Sequence, residues 1–390
     1  MSAAADPSRG RIASVDILRG VVMILMAIDH VRVYAGVPAG QGSPSVFFTR
    51  WITHFVAPAF CFFAGTGAFF HGRKLGDLAV LRRYLISRGL VLVALELTLI
   101  RLCWTFNLDF AHYNLAGVIW MLGWSMVALA GLTKFSTKTI GIVGLVIIFA
   151  QQVIGVPYHF APDSVKGMIG WLWNPLYMGD QVHLGPGGPP LDILYVLIPW
   201  IGVMAAGYAF GTILIREPEE RRKLCYRIGL TATALFAVIA TAMVMLRPAP
   251  ENAPPALFRI LNQQKYPASQ LFLMMTLGPV IALLPVAEKL RGRVATVLST
   301  YGRAPMFYYL LHIPLIHALA IVVSLIRTGS VTPWLFTNFP LEPGQQPEGY
   351  RWSLGLLYLV WAIAVVILYF PSNWYARRKA TRPAGWMRYV

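Results

Sequence analysis

Ten apolar runs, most of them about the length of a bilayer crossing, restrict what this chain can fold into. They lie near residues 15–36, 51–71, 84–103, 114–132, 139–154, 193–215, 225–246, 269–288, 304–327 and 352–375. A helical span needs about 20 predominantly apolar residues. The fifth run is the shortest. Only 13% of the 390 residues are charged and 57% are hydrophobic, whereas about a quarter of an average soluble domain is charged. The expected fold is therefore all-α and polytopic, an integral membrane protein of about ten transmembrane helices.

The net charge of +17 would point to nucleic acid in a soluble protein. Here the Lys and Arg residues fall between apolar runs, so no nucleic-acid partner is expected and the charge reports orientation instead. One alternating set of ends and connections holds 21 of them, including Arg82/Arg83, Arg221/Arg222/Lys223 and Arg291/Arg293; the other set holds six. That bias predicts cytoplasmic termini. The expected organisation is a cytoplasmic tail over 1–14, one membrane domain over 15–375 and a basic cytoplasmic tail over 376–390. The connections expected on the outer side are the long ones, 155–192, 247–268 and 328–351. Cys61, Cys103 and Cys225 sit in or beside apolar runs, which is no disulfide framework. The late, full-length and charged first run reads as an uncleaved anchor.

That first run, SVDILRGVVMILMAIDHVR, carries the most chemistry. His30 lies eleven positions after Arg19, about three turns, so the two share a helix face about 16 Å apart. Ionisable groups in a bilayer are costly and mark function. A histidine titrates near neutrality and can take a proton from a hydroxyl or amine. Asp29 and Arg32 flank His30. Asp29 can fix its tautomer, although it points about 100° away. An interhelical hydrogen bond is the structural alternative for His30, and an i,i+3 ion pair is the alternative for Asp16 and Arg19.

Other runs add candidates. Arg50 and His54 are one turn apart at the outer end of the second run, and its small residues Ala64–Ala68 permit close helix packing. Glu96, in the third run, needs a partner, with Arg101, Arg32 and His30 available. The ninth run holds His312 and His317, five residues apart; they face one cavity only if Pro314 distorts the helix between them. Tyr308 lies one turn before His312, which makes His312 the favoured member. Trp171, Trp173, Asp180, Lys265 and Tyr266 in the outer connections can stack on or bind sugar rings, or form an interfacial belt. No zinc-binding spacing, P-loop or dinucleotide fingerprint occurs, so no metal is expected. Arg82, Arg83, Arg291 and Arg293 are dense enough to clamp a diphosphate, or serve only orientation and anionic lipid.

The blocks RIASVDILRGVVMILMAIDHVR, WITHFVAPAFCFFAGTGAF, LIPWIGVMAAGYAFG, KYPASQLFLMMTLGP and YGRAPMFYYLLHIPLIH resemble bacterial relatives of heparan-alpha-glucosaminide N-acetyltransferase. The Arg–ten residues–His spacing is also similar to the first-helix motif of acyltransferase family three. The resemblance implies a multi-pass protein of the bacterial inner membrane that moves an acyl group, acetyl above all, from acyl-CoA to a sugar or envelope glycan. Arg19 and His30 carry over as the motif pair. The chain departs from the lysosomal enzyme in one respect: that enzyme's acetyl-transfer histidine precedes the second helix, and Val31–Thr53 contains none here.

The expected function is accordingly a membrane acyltransferase. His30, Asp29, His312, His54 and Glu96 are its candidate catalytic groups. Arg19, Asp16, Arg82, Arg83, Arg291 and Arg293 are expected on acyl-CoA. Arg32, Arg50, Trp171, Trp173, Asp180, Lys265 and Tyr266 are expected on the acceptor. Membrane lipids and a further copy of the chain are the other expected partners. The competing reading is a transporter of an anionic or glycan-linked substrate, since intramembrane His, Asp and Arg also build proton relays. A weaker third is a non-catalytic membrane subunit.

Overall fold

The computed structural model describes residues 12–38, 43–249, 251–338, 346–382 and 384–389. The chain begins with α1 (Ala13–Tyr34). Next, α2 (Pro44–Trp51) runs through a 3-10 turn, Ile52–Phe55, into α3 (Val56–Leu75). Asp77 then caps α4 (Leu78–Leu95), its carboxylate accepting from the Ala79 and Val80 amides. A π-helical turn, Glu96–Ile100, joins α4 to α5 (Arg101–Thr105). After α6 (Val118–Leu132) and α7 (Thr137–Phe160) comes a connection containing the short α8 (Asp163–Trp173). The second half holds α9 (Ile198–Leu214), α10 (Pro218–Met245), α11 (Ala256–Leu261) and α12 (Gln270–Lys289). It ends with α13 (Gly292–Arg303), α14 (Pro305–Thr328) and α15 (Leu354–Thr381).

Six helical segments are long and apolar enough to cross a membrane: Pro44–Leu75, Thr137–Phe160, Pro218–Met245, Gln270–Lys289, Pro305–Thr328 and Leu354–Thr381. Of the other apolar runs, two fold as shorter apolar helices, α6 and α9. The remaining two fold as the charge-bearing α1 and as the helix running from α4 into α5. The fifth run, 139–154, lies within a longer helix, Thr137–Phe160, which continues through Tyr158. A separate helix, α13, precedes the ninth run.

The fold is overwhelmingly helical, as expected, with one small sheet beside the helices. Within and beside the 155–192 connection, β1 (Leu115–Ala116), β3 (Pro190–Ile193) and β2 (Asp180–His183) form a small sheet in that order. β1 and β3 are parallel, whereas β2 and β3 are antiparallel with Gln181 opposite Asp192. Val182, Leu191 and Ile193 are buried while their neighbours are more exposed, the period-two signature of a half-buried sheet.

Helices approach closely where glycines face each other. A Cβ on Gly89 would lie 2.5 Å from the Gly123 carbonyl oxygen, so α4 and α6 meet backbone to backbone. In lipid, where burial of apolar surface gives little drive for association, such small-residue seams supply van der Waals packing. The small stretch Ala64–Ala68 works in this way: Gly65 packs on Met204 of α9. Gly302 of α13 packs on the Asp16 backbone of α1. Helix α1 lies against α3, α12, α13, α14 and α15, so polar groups on several of its faces meet protein.

Candidate active site

His30 and His312 meet between α1 and α14. Their rings stack with centroids 4.7 Å apart, and His30 Nδ1 lies 2.5 Å from His312 Nε2. His312 Nδ1 is 2.6 Å from the Tyr309 carbonyl oxygen. A carbonyl only accepts, so Nδ1 of His312 carries a proton. In the neutral pair His312 Nε2 is then the lone-pair nitrogen, and His30 Nδ1–H donates to it. This leaves His30 Nε2 as the basic nitrogen, with no hydrogen-bond partner among the described residues. His312 is fully buried, whereas His30 is only partly so. Trp104 presents an edge-on contact to His30 at 4.9 Å, and Tyr308 stacks on His312 at 5.6 Å.

Of the two alternatives for Asp29, the structure takes the one its 100° offset from His30 favours: Asp29 accepts from Arg32 Nε at 2.9 Å, and Arg32 also donates to the Val37 carbonyl. A histidine from another helix reaches His30 instead. Asp29, Arg32, Arg50 and Lys265 are the charges facing His54. Lys265 Nζ lies over the rings of Tyr195 (5.6 Å) and Tyr266 (5.0 Å). His54 is 3% exposed, packs edge-on to Phe272, and has no hydrogen bond at either ring nitrogen. Charged and titratable groups from α1, the α2–α3 turn and the segment before α12 thus cluster beside the histidine pair.

Glu96 does not join this group. Its carboxylate accepts from the amides of Ile119 (2.7 Å) and Trp120 (3.0 Å), so it caps α6 rather than pairing with Arg101, Arg32 or His30. Position 117 is glycine and offers no capping side chain, and α6 borrows one from another helix. Arg101 is buried among loop acceptors that include the Tyr113 and Asn107 carbonyls and Asn338 Oδ1. His317 is also separate from His312. It lies between Tyr34 and Phe106, with Nδ1 on the Cys103 carbonyl. Pro314 therefore does not bring both histidines to one cavity.

At the other end of α1, Arg19 donates to the Phe63 carbonyl, and Asp16 lies 3.9 Å from both Arg19 and Arg303. The arginine clusters expected on a diphosphate are separated. Arg82 donates to Thr133 just past the end of α6, and Arg291 donates to the Glu288 and Leu290 carbonyls at and just past the end of α12. Arg221 pairs with Glu288 at 2.7 Å. Arg83 and Arg293 are exposed. Trp171 is 68% exposed on α8, Trp173 stacks on Tyr158, and Asp180 accepts from its own neighbour's amide, all away from the histidine pair. Sequence reasoning missed Tyr309, Trp104 and Tyr195. Tyr309 acts through its backbone, which leaves no trace in residue type.

Among the described residues no group of three or more His, Cys, Asp and Glu is placed to hold a metal ion. The fold defines a helical membrane protein, with two imidazoles stacked and hydrogen-bonded between two of its helices. The family model for heparan-alpha-glucosaminide N-acetyltransferase, catalytic, matches residues 11–245, and the chain belongs to that family of transmembrane acetyltransferases. No curated protein sequence matches it.

Proposed function

We propose that the protein moves an acetyl group from cytoplasmic acetyl-CoA to a hydroxyl or amine of a sugar or envelope glycan on the outer side of the membrane. The observation that carries this reading is the relay from His30 Nδ1–H to His312 Nε2 and from His312 Nδ1–H to the Tyr309 carbonyl. It orients one imidazole and leaves His30 Nε2 open as general base. In the reaction, His30 Nε2 takes the acceptor's proton as the acceptor oxygen or nitrogen attacks the thioester carbonyl. The new bond forms as the carbon–sulfur bond breaks. The departing thiolate then recovers the proton from the His30 imidazolium, so protons balance over the cycle. His312 stabilises that imidazolium through the same hydrogen bond.

The excess of Lys and Arg in one set of connections supports cytoplasmic termini. In that orientation Arg19 and Asp16 lie at the donor end of α1, and His30 lies about 16 Å further out. Asp29 and Arg32 border the acceptor side. The protein is a multi-pass component of a bacterial inner membrane in this reading.

The test uses purified protein with labelled acetyl-CoA and a panel of amino sugars and glycans. Acceptor-dependent release of CoA, reduced at least a hundredfold in His30→Ala, is expected. Equal background release by both proteins with every acceptor would refute the proposal.

A further inference from the structure

Helix α15 carries an exposed apolar stripe that ends in two arginines. Leu359, Ile363, Val366, Phe370 and Trp374 are exposed by 57%, 40%, 60%, 67% and 56%. At about 100° per residue they share one face of the helix, and Arg377, Arg378 and Thr381 continue that face over the next two turns. α15 is long and apolar enough to cross a membrane, so the stripe from 359 to 374 offers about 22 Å of surface to lipid chains. Phe370, Asn373, Trp374, Arg377, Arg378 and Thr381 line a cleft of about 350 Å³ where the stripe ends. Its aromatic wall is braced. Trp374 packs on Phe307 of α14 with centroids 6.2 Å apart, and Phe307 stacks on Tyr375 at 4.4 Å.

The positive charge of the cleft is not balanced by the protein. Residues 354–390 contain no Asp or Glu, and neither Arg377 nor Arg378 has a carboxylate partner among the described residues. Both are exposed. Lys379 is engaged differently: its Nζ lies over the Tyr375 ring and donates to the Tyr375 hydroxyl. We propose that the cleft binds an anionic phospholipid, with its phosphate on Arg377 and Arg378 and an acyl chain along the stripe from Trp374 toward Leu359. The proposal is independent of the acetyl-transfer reading. Guanidinium groups match phosphate oxygens in charge and geometry, and basic clusters at the headgroup level attract anionic lipid. The stripe decides between a lipid and a soluble phosphate, because a soluble phosphate would use the arginines and leave the apolar face bare. Charge decides between lipid classes. A choline headgroup brings its own cation to the two guanidinium groups, whereas a glycerol headgroup brings none.

The experiment titrates the full chain, purified in a neutral detergent, with phosphatidylglycerol and counts bound lipid by native mass spectrometry. Saturable binding is expected, at least fivefold tighter than that of phosphatidylcholine with the same chains. The double variant Arg377→Gln/Arg378→Gln should lose this preference, and Arg377→Lys/Arg378→Lys should bind within threefold of wild type, which also controls for folding. Trp374→Ser should weaken binding at least threefold. Arg83→Gln/Arg293→Gln, which removes the same charge from exposed positions on α4 and α13, should bind as wild type. A lipid that binds only the folded chain also raises its thermal midpoint, so phosphatidylglycerol should raise that of the wild type and not that of Arg377→Gln/Arg378→Gln. Equal affinity for the two lipids overturns the site. So does unchanged binding in Arg377→Gln/Arg378→Gln, or an equal loss in Arg83→Gln/Arg293→Gln. Glycerol phosphate, which has the headgroup without the chains, should not displace the lipid at a tenfold excess, and neither should CoA. Displacement by either assigns the cleft to a soluble phosphate and overturns the lipid.

Discussion

Replacing His312 by Phe tests the relay at its inner member. The substituted ring keeps the stack on His30 and Tyr308 but has no nitrogen to accept from His30 Nδ1, which now lies 2.5 Å from its acceptor. Two effects follow. The neutral His30 ring is no longer held with its proton on Nδ1, and the imidazolium formed in the transition state loses a charge-assisted hydrogen bond. Hydrogen bonds to charged groups are worth about 1.5–3 kcal/mol net. At about 1.4 kcal/mol per factor of ten, kcat should fall by about 10- to 150-fold. Removing the base itself, in His30→Ala, should cost about 100- to 10,000-fold. His312 acts only through His30, so the double variant should be about as slow as His30→Ala alone. The assay is acceptor-dependent CoA release at saturating donor, with the thermal midpoint measured alongside to separate misfolding from lost chemistry. A His312→Phe protein at wild-type rate, or a double variant slowed by the product of the two single effects, would refute the relay.

Glu96→Ala should lower stability by about 1–3 kcal/mol, because the amides of Ile119 and Trp120 lose their buried acceptor; Glu96→Gln, which keeps a carbonyl oxygen, should recover most of the thermal midpoint and turn over near the wild-type rate. Gly302→Ala places a Cβ 1.8 Å from the Asp16 carbonyl oxygen, so α1 and α13 must separate, at about 1–3 kcal/mol for overpacking; an unchanged thermal midpoint would contradict the close approach. Asp109, in the exposed loop after α5, is held below the usual carboxylate range by its hydrogen bonds to His112 and then Asn338. A depressed folded-state value contributes stability above the ordinary carboxylate range and loses it as pH falls through the lowered value. Amide protection in residues 106–114, taken relative to the intrinsic exchange rate at each pH, should accordingly fall on acidification, and the acid step should be missing in Asp109→Asn.

Helices were legible in this sequence because their cause is local: about 20 apolar residues in a row have few other options. The sheet was not, since Leu115–Ala116 pairs with a strand more than 70 residues later and is only two residues long. The same distinction runs through the site. His30, Arg32, Arg50, His54 and Lys265 stood out as charged or titratable groups beside apolar runs. Which of them meet is decided by how helices cross. His30 and His312 were both candidates, and it is the packing of α14 against α1 that brings their rings into contact. Glu96 misled for the opposite reason. An acidic residue in an apolar run signals a buried demand for a partner, but backbone amides satisfy that demand as well as any side chain, and no residue type announces them.

The family match ends at residue 245, and this boundary divides the site. Arg19, His30, Arg32, Arg50 and His54 fall inside it, whereas His312, Tyr309 and Lys265 come from the remainder of the chain. The proposed general base and its tautomer partner therefore belong to different portions, joined by one hydrogen bond between α1 and α14 and by the packing of α1 against α12 and α13. A base whose orientation depends on that seam is only as well poised as the seam is tight. Loosening α1 from α13 at Gly302 should then reduce turnover as well as stability, even though Gly302 lies at the end of α1 remote from His30. If Gly302→Ala lowered the thermal midpoint but left kcat intact, α1 would be held at His30 by α14 alone, and the two portions would be coupled less closely than the packing implies.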